Sequence, residues 1–252
     1  MMLSPYDWNE AIRQRAEYIE ERLAEGSPVV ALSCREGILL ATVRGTQRKL
    51  FEVYDRLAFA ALGQQADIEA LRLSAIDFAH AEGFARSPDD VTIGRVVAAL
   101  SPAVKKAFGD PLAAPLVARS LFAEVGATPE TDHFYALGYD GEFRAFRRLA
   151  VIAGSPTAEE QMRACLAEAL GSGEIPSLRE GRRHALRAWA AGWAARRSRG
   201  QKAEPAGEQD LDAVLGEALR EGEVEMALLD RSTHRQCRFR VLREEETESE
   251  RE

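Results

Sequence analysis

The sequence predicts an α+β protein in which two antiparallel sheets are flanked by layers of paired helices. Three observations point there. Short strand-like runs are joined by tight-turn signals, Arg35-Glu36-Gly37 and Asp140-Gly141 among them. Helical segments come in pairs. The order along the chain is strands, two helices, strands, two helices, strands, and two sheets covered by helix layers bury all the apolar faces of such an order. No internal repeat is present.

The first element is a helix. Ser4 suits the N-cap, Pro5 the first helical position, and Asp7 follows Ser4 by three in a capping-box pattern. Trp8, Ile12, Ile19 and Leu23 fall on one face, with Glu, Arg and Gln opposite, and the helix ends near Gly26-Ser27-Pro28. Val29–Cys34 and Ile38–Val43 read as a hairpin, and Leu57–Leu62 as a third strand ending at Gly63. From Asp67 the period becomes helical through Ile68, Leu71, Ile76, Phe78 and Ala79 to about Gly83. Ser87-Pro88-Asp89-Asp90 is expected to start a second helix from about Val91 to Phe108, broken or kinked at Pro102. Leu116–Val125 and Phe134–Tyr139 are strand-like, and Asp140-Gly141 predicts a type I′ hairpin turn into Phe143–Phe146. Leu149–Ala153 is a strand; Ala158–Leu170 and Leu178–Ala195 are helices. Residues 196–209 read as a mobile linker, Leu211–Arg220 as a short helix, and Glu223–Leu229 and Cys237–Leu242 as closing strands. The acidic residues 244–252 predict disorder. The organisation expected is a first helical unit (1–25), a sandwich (26–195), the linker (196–209), a closing helix and strand pair (210–243) and the tail (244–252).

Composition narrows the function. With 252 residues the chain is long for one domain but suits a sandwich with appended segments. Net charge is -8, which disfavours general nucleic-acid binding because no excess of Lys and Arg is available for phosphates. Cys34, Cys165 and Cys237 are far apart and odd in number, which fits a reducing, cytoplasmic setting. The N-terminus is polar rather than a signal peptide, and apolar runs of about ten residues are too short to span a bilayer. His80, His133, His184 and His234 fit no metal-binding spacing, so no metal or other cofactor is expected.

Six segments together resemble the α-type subunits of actinobacterial proteasomes. They are SPYDWNEAIRQRAEYIEE, EGSPVVALSCREGILLAT, RKLFEVYDRLAFAALG, RSPDDVT, YALGYDGEFRAF and GEVEMALLDRSTHRQCRFRVL, in the family's order and covering about residues 3–243. The resemblance implies the proteasome subunit fold, a four-layer αββα sandwich with an extra N-terminal helix. It implies a seven-membered ring of α subunits stacked on β-type subunits. It also implies docking of an AAA+ ATPase or other activator by its C-terminal tails, and passage of unfolded protein substrates.

The resemblance also implies that the chain is not itself a protease. Catalytic β-type subunits use an exposed N-terminal Thr, tuned by a nearby acid and a Lys. Here the first strand is preceded by Gly26-Ser27-Pro28-Val29 without a Thr. Ser27 would be a nucleophile only after cleavage behind Gly26, against an adjoining Pro28. The family's acid would fall near Val43. The competing readings are an active N-terminal-nucleophile hydrolase and a divergent ring protein without a protease partner.

Two sites follow from the resemblance. The entrance gate would be Met1, Met2 and Leu3, held by the Ser4-Pro5 turn. The activator-tail pocket would use Lys49 to pair with the tail carboxylate, Gly26 and Gly63 for close backbone approach, and Gln64 where relatives can carry an apolar residue. Glu25 stands where actinobacterial relatives carry a basic residue. Trp189 and Trp193 are expected to pack against the sandwich. The cluster Arg196-Arg197-Ser198-Arg199 is expected to be a solvated helix end whose cations complement the helix dipole.

Overall fold

The computed structural model describes residues 5–171, 173–197 and 208–242. Helix α1 spans Pro5–Leu23 and leads into strands β1 (Val29–Ser33), β2 (Gly37–Arg44), β3 (Leu50–Tyr54) and β4 (Leu57–Gly63). Helices α2 (Gln65–Ala85) and α3 (Ile93–Gly109) follow. Four strands come next: β5 (Ala118–Glu124), β6 (His133–Leu137), β7 (Phe143–Phe146) and β8 (Leu149–Ile152). Helices α4 (Pro156–Leu170), α5 (Leu178–Arg197) and α6 (Glu208–Ala218) precede β9 (Glu223–Asp230) and β10 (Phe239–Val241). One sheet runs β10-β9-β2-β1-β8 and the other β3-β4-β5-β6-β7, with every pairing antiparallel.

Three apolar clusters glue four layers. Val30, Leu32, Leu39 and Ala41 face α4, α5 and α6, while Val29, Ala31, Ile38 and Leu40 face the other sheet. Phe59, Ala61 and Phe122 face α2 and α3. Strands β1, β2 and β4 are therefore buried on both faces. That is why they read as continuous apolar runs rather than as the alternation usual in antiparallel sheets.

The stripe on α1 is covered only over its second half. Ile19 and Leu23 are fully buried in the layer between the sheets, whereas Trp8 is exposed. Arg15 anchors the helix by donating to the carbonyls of Ala107 (2.9 Å) and Phe108 (3.1 Å) at the end of α3 and of Ala113 (2.8 Å) just beyond it. The Tyr139 hydroxyl donates to Glu20 at 2.8 Å.

Three local expectations are corrected and one further strand is added. The segment Leu50–Tyr54 is a strand that alternation does not reveal, because it lies at a sheet edge and carries an exposed Glu52. Ser87–Asp90 does not start α3. Ser87 caps a separate 3-10 turn over Pro88–Asp90, and α3 begins at Ile93. Pro102 does not break α3, which is helical throughout. Its ring and Ala98, whose carbonyl it leaves unpaired, both lie on the exposed face, where water can satisfy that carbonyl. The Asp140-Gly141 turn is not type I′. Only Gly141 has positive φ (81°), and the paired Leu137 and Phe143 leave a loop of residues 138–142, too long for a two-residue turn. Gly141 N donates to Gly138 O, Gly138 N donates to Glu142 O, and Asp140 Oδ1 accepts from Glu142 N.

One end of the sandwich is closed by a buried ion pair. Arg231, just past β9, places Nη1 and Nη2 each 2.9 Å from the two oxygens of the fully buried Asp132. Asp132 also accepts from Ser33 Oγ at 2.8 Å and from Gly126 N at 2.9 Å. The clamp joins β1 and β9 of one sheet to the β5–β6 loop of the other. Removing one member strands a buried charge, so Arg231→Ala should destabilise the fold by about 3–5 kcal/mol. Chemical denaturation of the full chain measures this, and a loss below about 1 kcal/mol would contradict the clamp's role.

Candidate functional site

The opposite end, where β1 begins and β2 ends, is open. Its floor forms where α1 stops: Gly26 N donates to Leu23 O at 2.8 Å, turning the chain toward β1. A Cβ on Gly26 would sit 2.9 Å from both Leu23 O and Leu62 Cδ1, so the turn has no room for a side chain. Gly63 ends β4 at φ +133°, and a Cβ there would overlap the Val117 carbonyl oxygen.

Lys49 enters this end immediately before β3. Its backbone nitrogen donates to Glu225 Oε2 at 2.9 Å, and that of Leu50 donates to Oε1 at 3.3 Å. The ammonium reaches the Ser27 carbonyl oxygen at 3.3 Å. Burial pushes the Lys49 pKa down to about 8, against the opposing pull of the Glu225 carboxylate. Burial likewise holds Glu225 above the ordinary carboxylate range, against the two amides that favour its charged form.

Gly26, Lys49 and Gly63 line one cavity of about 690 Å³. Gln64 is not among its lining residues; it stands exposed before α2, with its backbone nitrogen donating to Val117 O at 2.8 Å. Of the expected gate, Met1, Met2, Leu3 and Ser4 lie outside the described residues, and Pro5 opens α1. Residues 198–207 of the expected linker and all of the acidic tail also lie outside them.

The cavity's other wall comes from α5. Trp189 is fully buried and stacks on Trp193, with ring centroids 5.1 Å apart at 21°. Arg196 lies over the Trp193 ring, Cζ 3.6 Å from its centroid, and pairs with Glu25 at 3.3 Å. It is thus a packed cavity residue, unlike the solvated helix end that the sequence suggested. The spacing of Trp189, Trp193 and Arg196 by four and three marks one helix face, which was the available signal. The Glu25 contact has no sequence signal, because it joins residues 171 positions apart.

Ser27 stands where a nucleophile would be needed, but its hydroxyl is committed. It donates to Val43 O at 2.5 Å and accepts from Trp189 Nε1 at 3.0 Å. Thr42 Oγ1 lies 3.3 Å from it and points its own proton to Pro28 O at 2.6 Å. Lys49 contacts the Ser27 carbonyl rather than its hydroxyl, and the Ser27 nitrogen is a chain amide joined to Gly26. Val43 is buried and brings no carboxylate. The arrangement holds a serine in place and offers a base no path to its proton.

No family model matches the chain. It is similar to curated proteins named proteasome subunit alpha. That of Jonesia denitrificans is 34% identical over 142 residues, 56% of this chain and 60% of the relative. That of Actinosynnema mirum is 37% identical over 132 residues, 52% of this chain and 50% of the relative. That of an Arthrobacter species is 33% identical over 148 residues, 57% of this chain and 61% of the relative. The chain thus spans about half to three fifths of the length of these relatives. Among the described residues, no helix is long and apolar enough to cross a membrane. The two five-stranded antiparallel sheets between helix layers, with a helix ahead of the first strand, agree with that similarity. Over a little more than half of its length the chain is thus similar to bacterial proteins named proteasome subunit alpha, and its architecture is consistent with the proteasome subunit fold.

Proposed function

We propose that the chain is a non-catalytic α-ring subunit of a bacterial proteasome core particle, acting in the cytoplasm. Its Lys49 cavity receives the C-terminal tail of an AAA+ ATPase or another activator. In this reading seven copies form a ring on β-type subunits that carry the catalytic Thr. Met1, Met2 and Leu3 obstruct the entrance through which unfolded proteins pass. The observation that carries the docking role is the state of Lys49: a cation at a concave surface whose hydrogen bond goes to a carbonyl, not a carboxylate. A terminal carboxylate entering the cavity gives the ammonium a carboxylate acceptor beside the Ser27 carbonyl. The committed hydroxyl of Ser27 supports the non-catalytic role.

A peptide ending in a free carboxylate should bind the full chain, and its amidated form should not. Lys49→Ala should weaken the free form by about 2 kcal/mol or more while leaving the thermal midpoint close to wild type. Equal binding of the two peptide forms in fluorescence polarisation would contradict the assignment.

The same pair sets a pH dependence. Burial lowers the Lys49 pKa to about 8, so the ammonium that a carboxylate needs is present below that value and lost above it. Affinity should therefore fall as pH rises from 7 through about 8 to 9, and titration in Lys49→Arg should remain flat over that window.

Coexpression with a β-type subunit should yield stacked rings in electron micrographs, with peptidase activity that depends on the β chain's Thr. Peptidase activity from the α chain alone, accompanied by cleavage before Ser27, would favour the hydrolase reading instead.

A further inference from the structure

Lysine is rare in this chain. Of its 33 Lys and Arg residues, only Lys49, Lys105, Lys106 and Lys202 are lysines. The rest are arginines, which keep their charge across the physiological range. At Lys49 the cavity therefore presents the cation type that can give up its proton and act as a nucleophile. Lys105 and Lys106 are exposed on α3, whereas Lys49 is partly buried in the cavity wall.

The surroundings of Lys49 favour the free amine. Burial pushes its pKa down to about 8, so neutral amine is present close to neutral pH. Glu225 pulls the other way, but its oxygens are held by the amides of Lys49 and Leu50. Among the described residues, the other charges of the lining are of both signs. Arg22, Arg44, Arg196 and Arg220 stand against an ammonium, while Glu25, Glu217 and Glu221 stand for it. Arg48, its neighbour in the chain, is exposed.

The hydrogen bond of Lys49 sets what the cavity accepts. Nζ donates to the Ser27 carbonyl oxygen at 3.3 Å. A secondary amide on the same nitrogen keeps one N–H for that oxygen and removes the charge that burial penalises. The cavity of about 690 Å³ has room for a small acyl group.

We propose that Lys49 is an acylation site: its amine takes a small acyl group from a thioester or an acyl phosphate, and the acylated cavity no longer receives a terminal carboxylate. The free amine attacks the acyl carbon. An N–C bond forms as the C–S bond of the thioester, or the C–O bond of the acyl phosphate, breaks. The sulfur or the phosphate leaves with the electron pair, and the nitrogen gives up one proton to water. The product is neutral, so the ammonium that a carboxylate needs is gone. The loss of tail binding rests on the docking reading above; the reactivity of the amine does not.

The test incubates the full chain near neutral pH with acetyl phosphate in one arm and with S-acetyl-N-acetylcysteamine in the other. Peptide mapping by mass spectrometry then follows each lysine. Lys49 should be acetylated roughly tenfold faster than Lys105 or Lys106, because the lowered pKa frees far more amine than the ordinary value near 10.4, while a weaker base attacks more slowly. Its rate should level off above about pH 8, where an ordinary lysine amine goes on gaining. Chain acetylated at Lys49 should keep its thermal midpoint and bind the free-carboxylate peptide roughly tenfold or more weakly. Lys49→Gln, an uncharged amide at the same place, should bind it as weakly. Selective reaction with one donor alone supports the site and names the donor class. Equal rates at Lys49, Lys105 and Lys106 in both arms overturn this inference and leave the docking reading standing. A melting temperature lowered by acetylation at Lys49 overturns the claim that the cavity accepts the amide. Selective acetylation that leaves peptide binding unchanged keeps the acylation site but overturns the docking reading, and the loss of docking with it.

Discussion

The Glu225 carboxylate accepts the backbone amides of both Lys49 and Leu50, and the open end of the sandwich is organised by that contact. Glu225 sits on β9 of one sheet, while Lys49 and Leu50 lead into β3 at the edge of the other. The carboxylate therefore sets where β3 starts and how the two sheets meet at this end. It also fixes the direction of the Lys49 side chain, since the backbone that carries it is tied down at two consecutive nitrogens. A cation here could have been neutralised by the neighbouring acid. Instead the acid is occupied by amides, and the ammonium turns to the Ser27 carbonyl. One buried group thus serves as brace for the fold and as spacer for the site.

The two ends of the molecule contrast in the same physical terms. At the far end, Asp132 and Arg231 satisfy one another at two contacts of 2.9 Å and leave no charge for a ligand. At the near end the charges are distributed among weaker or unlike partners: a carbonyl for Lys49, an aromatic face and a solvated carboxylate for Arg196. Paired buried charge makes a rigid closure. A cation at a cavity whose hydrogen bond goes to a carbonyl, as that of Lys49 does, gains free energy by taking an anion. The tether from Trp189 Nε1 through Ser27 Oγ to Val43 O adds rigidity between α5 and the sheet without adding charge.

Much of this was legible in the sequence, for identifiable reasons. The strands buried on both faces announce themselves as unbroken apolar runs, and the paired helices by their period. Lys49, Gly26 and Gly63 could be set together as candidates because short segments of recognisable order surround each of them. Strand β3 was not legible, because an edge position with Glu52 exposed lacks the alternation of a covered face. The tolerance of α3 for Pro102 depends on which way that residue faces, and the direction is settled by packing. Gln64 was placed with the pocket by the family resemblance, whereas in the structure it stands exposed before α2 and does not line the cavity. The Arg196–Glu25 contact arises only from the three-dimensional meeting of two helix ends.

The stacked tryptophans carry an optical consequence. Trp8, the remaining tryptophan, is exposed on α1, far in character from the pair in the cavity wall. Two indoles with centroids 5.1 Å apart at 21° couple their excited states, and Arg196 lies against one of them. Any event that moves the guanidinium or changes its counter-ion alters the field at Trp193. The near-ultraviolet circular dichroism and the emission of this chain therefore carry a built-in signal from the cavity, with no label attached.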